Sequence, residues 1–426
     1  MPAMDQPVLA ASPQPLLVSW NVTGLCNLAC SHCYLDAARR RRGSRDELDT
    51  ATALGIVSQI AALAPGAMLV FSGGEPLLRR DLVMLVKQAA GCGLAPVIGT
   101  NGTLLNERRA AELRDAGAAG VGISLDSAAP AFHDRLRGVP GAWRASLLGA
   151  VAARRAGVAL LLQTTLFGEN HGDLAALADL AESLGAMALN FFFLVCTGRG
   201  ATQTDLAPAV YDETLARILE LQRSRPQLLI RARCAPYQRR LLGLRAGETA
   251  DGYGAWSGAC LAGRGYFRIT PQGRVTPCPY IPEVIGDLGK TALREIWERH
   301  PALIRLRTEL PGGKCGGCDF RYSCGGCRAR ALAQHGDLMA EDSRCVHATP
   351  PAAFPEPPPV PERAGVTWEP AAQALLERIP AFVRATVRTR LEQYAVGEGI
   401  GRITIDFMRA HRPPLRFLGR PAADTS

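Results

Sequence analysis

The 426-residue sequence predicts an α/β protein: a partial (β/α)6 barrel of the TIM type, then a Cys-rich segment and a small helical module. Three observations predict it. Short apolar or β-branched runs alternate with longer helical stretches from about residue 16 to 225, the pattern of a parallel sheet with helices outside. After residue 226 the alternation stops, and residues 260 to 345 are turn-rich and dense in Cys and Gly. A Pro-rich stretch, "PPAAFPEPPPVPE" (350–362), reads as an extended linker before a last helical pattern.

Each element follows from its local pattern. "LLVSWNVT" (16–23) reads as the first strand and "DTATALGIVSQIAALA" (49–64) as an amphipathic helix. "AMLVFSGG" (67–74) is a second strand, with a helix from Asp81 to Cys92 after it. "PVIGTNG" (96–102), "GVGISLD" (120–126), "ALLLQTTL" (159–166) and "LNFFFLV" (189–195) read as further buried strands with helices between them. Right-handed crossovers would curl six such units into a barrel or an open partial barrel. "YFRITPQGRVTPCPY" (266–280) suggests one hairpin in the Cys-rich part. In the last module Pro380 splits the first helix, and Gly399 and Gly401 break the second from a final amphipathic turn. The expected division is a tail (1–15), barrel (16–225), Cys-rich domain (226–349), linker (350–365), helical module (366–415) and tail (416–426).

Composition narrows the function. The longest apolar runs, such as "FFFLVC" (191–196), are far too short to span a bilayer. The N-terminus lacks the basic start and apolar core of a signal peptide, so a cytoplasmic protein is expected. Net charge is +9, carried by arginines; Lys87, Lys290 and Lys314 are the only lysines. The one basic block, "RRRR" (39–42), sits beside Asp46 and Glu47, so neither a nucleic acid nor a membrane is an expected partner. Thirteen cysteines in a chain without an export signal point to metal rather than disulfides.

"CNLACSHCY" (26–34) packs Cys26, Cys30 and Cys33 into eight positions. On a helix they would share one face as core residues, and zinc also uses such clusters. Their place after the first strand, behind Asn21, Thr23 and Gly24, instead suits a loop at the sheet's C-terminal edge. Three thiolates there can hold three irons of a cubane and leave the fourth without a protein ligand. "FSGGEPLL" puts Gly73, Gly74, Glu75 and Pro76 after the second strand, where glycines let backbone approach a ligand. "GTNG" (99–102) follows the third strand, and "SLD" (124–126) closes the fourth.

These elements, in this order and each after its own strand, resemble the radical S-adenosylmethionine family over roughly residues 16 to 225. The resemblance implies a [4Fe-4S] cluster on Cys26, Cys30 and Cys33 whose free iron binds S-adenosylmethionine. It implies reductive cleavage of that cofactor to a 5′-deoxyadenosyl radical that abstracts hydrogen. Gly73, Gly74, Glu75, Pro76, Thr100, Asn101, Ser124, Asp126 and Tyr34 are then the implied contacts of S-adenosylmethionine. A low-potential electron donor such as flavodoxin or ferredoxin is the implied protein partner.

The second thiol set, Cys260, Cys278, Cys315, Cys318, Cys324, Cys327 and Cys345, resembles the SPASM extension, which carries one or two auxiliary [4Fe-4S] clusters. It departs from the usual pattern in one place, since two residues rather than three separate Cys324 from Cys327. By position, Cys315, Cys318, Cys324 and Cys345 would bind one cluster, and Cys260, Cys278 and Cys327 a second. The fourth ligand of the second is open between Cys234 and none. Cys92 and Cys196 lie in apolar runs and read as packing residues.

"FFFLVCTGRGA", "CAPY" and the Cys-rich text look closest to the heme-forming branch, which includes heme d1 synthesis and the siroheme-dependent heme b route. Residues 366 to 415 resemble the C-terminal domain of a light-independent protochlorophyllide reductase subunit. Only some fifteen residues precede the barrel, where a peptide-modifying enzyme often carries a leader-binding module. The expected substrate is therefore a tetrapyrrole whose propionate or acetate side chains are decarboxylated, with a ribosomally made peptide as the alternative. Arg199, Arg231, Arg233, Arg239 and Arg240 are candidate partners for porphyrin carboxylates, because Arg pairs with them in bidentate fashion.

Overall fold

The computed structural model describes residues 14–35, 37, 46–202, 205–238, 240–241, 260–322, 324–347, 366–377, 387–388, 391–392, 394–395 and 398–411. The Pro-rich stretch, the four-arginine block, Pro380 and Arg239 lie outside them.

Six expected strands form where the sequence places them: β1 (Leu17–Thr23), β2 (Met68–Gly73), β3 (Ala95–Thr100), β4 (Gly120–Ser124), β5 (Leu160–Leu166) and β6 (Ala188–Phe193). The helices that follow them are α1 (Thr50–Leu63), α2 (Leu82–Gly91), α3 (Glu107–Asp115), α4 (Pro130–Arg137), α5 (Ala142–Arg155), α6 (Leu174–Ser183) and, after β6, α7 (Pro208–Ser224). Asp49 and Asn106 start α1 and α3 by accepting backbone N–H bonds from Thr52 and Arg109.

Two findings enlarge the sheet. The alternation does not stop after residue 226: β7 (Leu229–Arg233) pairs parallel with β6, Asn190 opposite Arg231. Its pattern, LIRAR, buries Ile230 and Ala232 and leaves the arginines half-buried, a strand with one apolar face. The expected hairpin forms as β8 (Tyr266–Ile269) and β9 (Arg274–Thr276). However, β8 also joins the barrel, pairing parallel with β1 from Leu17↔Tyr266 to Trp20↔Ile269. With β10 (Gly286–Asp287), one sheet runs β10-β9-β8-β1-β2-β3-β4-β5-β6-β7.

The alternation of burial tells the two sheet faces apart. Leu69, Phe71, Leu160, Leu162 and Ile230 join helix residues such as Ile60, Val86, Leu177 and Ile218 in one apolar core. Their neighbours along the chain, Ser72, Gln163, Arg231 and Arg233 among them, are half-buried on the opposite, inner face. Gly99 and Gly122 sit side by side in register there, and their missing Cβ atoms would meet Ser72 and Gln163 side chains.

The barrel and the Cys-rich segment fall in one compact unit, and the C-terminal residues in another. The C-terminal unit is not purely helical. Besides the helices Pro370–Glu377 and Ile405–Ala410 it contains a parallel strand pair, Thr367–Trp368 with Arg402–Ile403, around Leu376, Ile403 and Phe407. Among the described residues no helix is long and apolar enough to cross a membrane.

Candidate active site and auxiliary thiol groups

The first thiol loop leaves β1 and is fixed by backbone. Ala29 N–H donates to Arg137 O (3.1 Å) and Ser31 N–H to Leu136 O (2.9 Å), docking the loop on the end of α4. From the other side Arg199 N–H reaches Cys33 O (3.0 Å) and its Nε reaches Cys30 O (2.9 Å). Gly198, at φ 58°, has no room for a Cβ, which would lie 2.7 Å from the carbonyls of Cys33 and Tyr34. Arg199 therefore clamps the loop, contrary to the expectation that it meets substrate.

The GGEP turn is locked against the same loop. Gly74 N–H donates to Thr23 O (2.8 Å) and Glu75 N–H to Leu25 O (2.6 Å). A Cβ on Gly74 would fall 2.0 Å from Leu25 O, so only glycine allows this approach. The Glu75 carboxylate is fully buried and accepts from Thr100 Oγ1 (2.7 Å), Leu77 N (3.0 Å) and Asn101 N (2.9 Å). Burial raises its pKa, and those three bonds oppose the rise. Asn101 Nδ2 continues the chain to Asn27 Oδ1 (2.9 Å), and Pro76 opens a short 3-10 turn.

On the opposite flank lies a cluster the sequence reading missed. Asp126, 1% exposed, pairs with Arg137 (2.5 Å) and His32 (3.7 Å), and Arg137 Nη1 also approaches Cys30 Sγ (3.6 Å). Burial works against the Asp126 charge, but Arg137, then His32 and His133, hold the carboxyl below its usual range. Burial drives the pKa of both His32 and His133 down to about 4. Arg137 carried no sequence signal, because beside Arg135 on a short, charged helix it reads as one more solvated arginine. Ser124 is half-buried at the end of β4, opposite Gln163. The Tyr34 hydroxyl accepts from Asn21 Nδ2 (3.1 Å), and its ring meets Tyr280 at 5.4 Å.

In the Cys-rich segment the thiols separate into two groups. Cys315, Cys318, Cys324 and Cys345 line one pocket. Burial pushes the Cys324 thiol up to about 12, and Cys345, Cys315 and Cys318 add to it. In the other group a thiol hydrogen bond from its neighbour Cys327 holds Cys260 below its usual range. Burial, and after it Cys234, pushes Cys278 up; Cys234 itself rises to about 12 by burial, with Cys327 contributing. Cys234 is also the one described non-glycine residue at positive φ, 57°. Cys92 and Cys196 stand apart from both groups, Cys196 packed against the Leu136–Phe167–Leu194 patch.

All thirteen cysteines are free thiols. Among the described residues no three His, Cys, Asp or Glu side chains converge as the ligands of one ion would. The donor set, three or four thiols in each group with no disulfide among them, suits iron–sulfur clusters. Of the arginines, Arg240 is buried in an ion pair with Asp212, again a structural role. Arg231 and Arg233 lie on the inner face of β7.

The Radical SAM superfamily profile matches residues 20–181, and an iron-sulfur cluster-binding domain, SPASM, matches 260–327. A third profile, proto-chlorophyllide reductase 57 kD subunit, matches 368–412. An AdoMet-dependent heme synthase of Methanosarcina barkeri is 35% identical over 348 residues, 80% of this chain and 99% of the relative. The chain belongs to the radical S-adenosylmethionine superfamily. It is an enzyme that cleaves S-adenosylmethionine reductively and uses [4Fe-4S] clusters. A PqqA peptide cyclase of Xanthomonas axonopodis is 31% identical over 362 residues, 81% of this chain and 92% of the relative. Streptococcus suis SuiB, solved with its precursor peptide SuiA, superposes with a TM-score of 0.64 at 17% identity. That match covers 79% of this radical SAM chain and 76% of SuiB, and shows the shared fold.

Proposed function

We propose that this radical SAM enzyme oxidatively decarboxylates propionate side chains of a tetrapyrrole to vinyl groups in heme formation. The observation that carries the reading is the 35% identity to a heme synthase along 99% of that relative's length and 80% of this chain. The inner face of the barrel supports it. Arg231 and Arg233 stand two residues apart on one side of β7, the spacing and charge that suit carboxylates.

Cys26, Cys30 and Cys33 would hold the first cluster, with Gly73, Gly74, Glu75, Pro76, Thr100, Asn101, Ser124, Asp126 and Tyr34 around S-adenosylmethionine. That cluster and its ligand supply one-electron cleavage and hence a carbon radical able to take a hydrogen atom. The residues of the chain do the rest. Glu75, desolvated and already bonded to Thr100 and Asn101, presents a fixed acceptor beside the thiol loop. Asp126 is held as a carboxylate by Arg137, so it serves as a brace of the loop rather than as a proton donor. Each propionate gives up a hydrogen atom, carbon dioxide and one electron, and the two auxiliary thiol groups provide ligands for an electron acceptor. A flavodoxin or ferredoxin would supply the low-potential electron.

The test is anaerobic incubation of the reconstituted enzyme with dithionite, S-adenosylmethionine and iron coproporphyrin III. 5′-Deoxyadenosine and a porphyrin lighter by carboxyl loss should appear together. Deoxyadenosine without porphyrin change removes the tetrapyrrole reading and favours the peptide-crosslinking alternative, for which the 31%-identical cyclase speaks.

A further inference from the structure

The two auxiliary thiol groups meet at one buried residue. Asp342 is 0% exposed. Its backbone N–H donates to Cys315 Sγ (3.3 Å), in the first group, while its Oδ2 accepts the backbone N–H of Cys327 (2.7 Å), in the second. The same oxygen pairs with Arg330 (3.1 Å), which is 2% exposed. Arg330 in turn donates to Tyr237 Oη (3.3 Å), Tyr211 Oη, Cys234 O (3.2 Å) and Leu194 O (3.3 Å) just past β6. The short Cys324–Cys327 spacing belongs to this arrangement. Gly325 and Gly326 both adopt left-handed φ, 65° and 69°. A Cβ on Gly326 would come within 2.8 Å of Asp342 Cβ and 3.1 Å of Cys315 Sγ. Two glycines thus bring the two groups close enough for one residue to touch both, the first through its backbone N–H and the second through its carboxylate.

We infer that Asp342, balanced by Arg330, is the positioning residue that couples the two auxiliary clusters and sets both of their reduction potentials. The physics is direct. Reduction adds an electron to each cluster, and a fixed negative charge in a dry, low-dielectric interior opposes it, whereas a positive charge favours it. The pair nearly cancels as built. Removing one member leaves the other uncompensated between both clusters. The inference rests on the two-group division of thiols and not on the choice of substrate.

An EPR-monitored redox titration of the anaerobically reconstituted holoenzyme, without substrate, tests it. Asp342→Asn keeps an acceptor for Cys327 N–H but loses the charge, so both auxiliary potentials should rise. Arg330→Gln should lower both. Each shift should change the oxidised-to-reduced ratio at fixed potential about tenfold, which is about 59 mV for a one-electron couple. Arg330→Lys keeps the charge and should stay near the parent values. The cluster on Cys26, Cys30 and Cys33 should not move. Shifts of the same sign in Asp342→Asn and Arg330→Gln, no shift in either, or a response of one auxiliary cluster alone would overturn the coupling. General loosening of the fold cannot produce opposite signs in the two variants.

Discussion

The three cysteines of the first loop are braced mostly by main chain: carbonyls of Leu136 and Arg137 on one side, Arg199 on the other. The seven of the Cys-rich segment fall in two groups that share the buried Asp342–Arg330 pair, much as Cys30 has Asp126–Arg137 beside it, and an eighth thiol, Cys234, lies near the second group. The difference teaches what each region is built for. A loop that offers three thiols and then backbone leaves one corner of a cubane for an outside ligand. Four thiols around one pocket are enough to occupy all four corners of a cubane.

The comparison can be broken most decisively at the thiols. Cys30→Ala should abolish 5′-deoxyadenosine formation, whereas Cys318→Ala should retain at least uncoupled cleavage, measured by chromatography of the products. Equal behaviour of the two variants would dissolve the distinction. A second contrast uses glycines. Gly74→Ala drives a Cβ to 2.0 Å from Leu25 O, while Gly317 has nothing within 4 Å. Gly74→Ala should therefore lose about 3 kcal/mol of stability, and Gly317→Ala less than about 0.5 kcal/mol, by urea unfolding. A smaller effect follows from acid. His133 is buried with its pKa lowered to about 4 from 6.5, so the unfolded chain binds the proton more readily. Stability is then full above about pH 6.5 and is lost as pH falls toward 4, about 2 kcal/mol between pH 7 and pH 5. Comparing urea midpoints at the two pH values in parent and His133→Asn checks it: the variant should lose this share of the slope and keep that of His32, whose pKa is lowered alike.

Much of this was legible in the sequence. Strands β1 to β6 and helix α2 lie within a residue or two of their expected bounds, because each is a short apolar run closed by Gly or a capping residue. The motifs after the strands converge, Glu75 on Thr100 and Asn101 being the clearest case. What could not be read depends on distant partners. β7 alternates arginine with apolar residues and passes for loop until its pairing with β6 is known. Arg137, Arg330 and Asp342 look like ordinary surface charges, and only burial and their contacts reveal them. Arg199 and Arg240 err the other way, since nothing local shows that a guanidinium is already spent on carbonyls or on Asp212.

The pairing of β8 with β1 carries a consequence for dissecting the enzyme. Cutting the chain before residue 260 would strip β1 of that neighbour and bare a row of unsatisfied amides and carbonyls beside Trp20 and Val18. Such an open strand recruits other chains. The catalytic half, excised for study, would therefore come out as a sticky aggregate rather than as a minimal working domain.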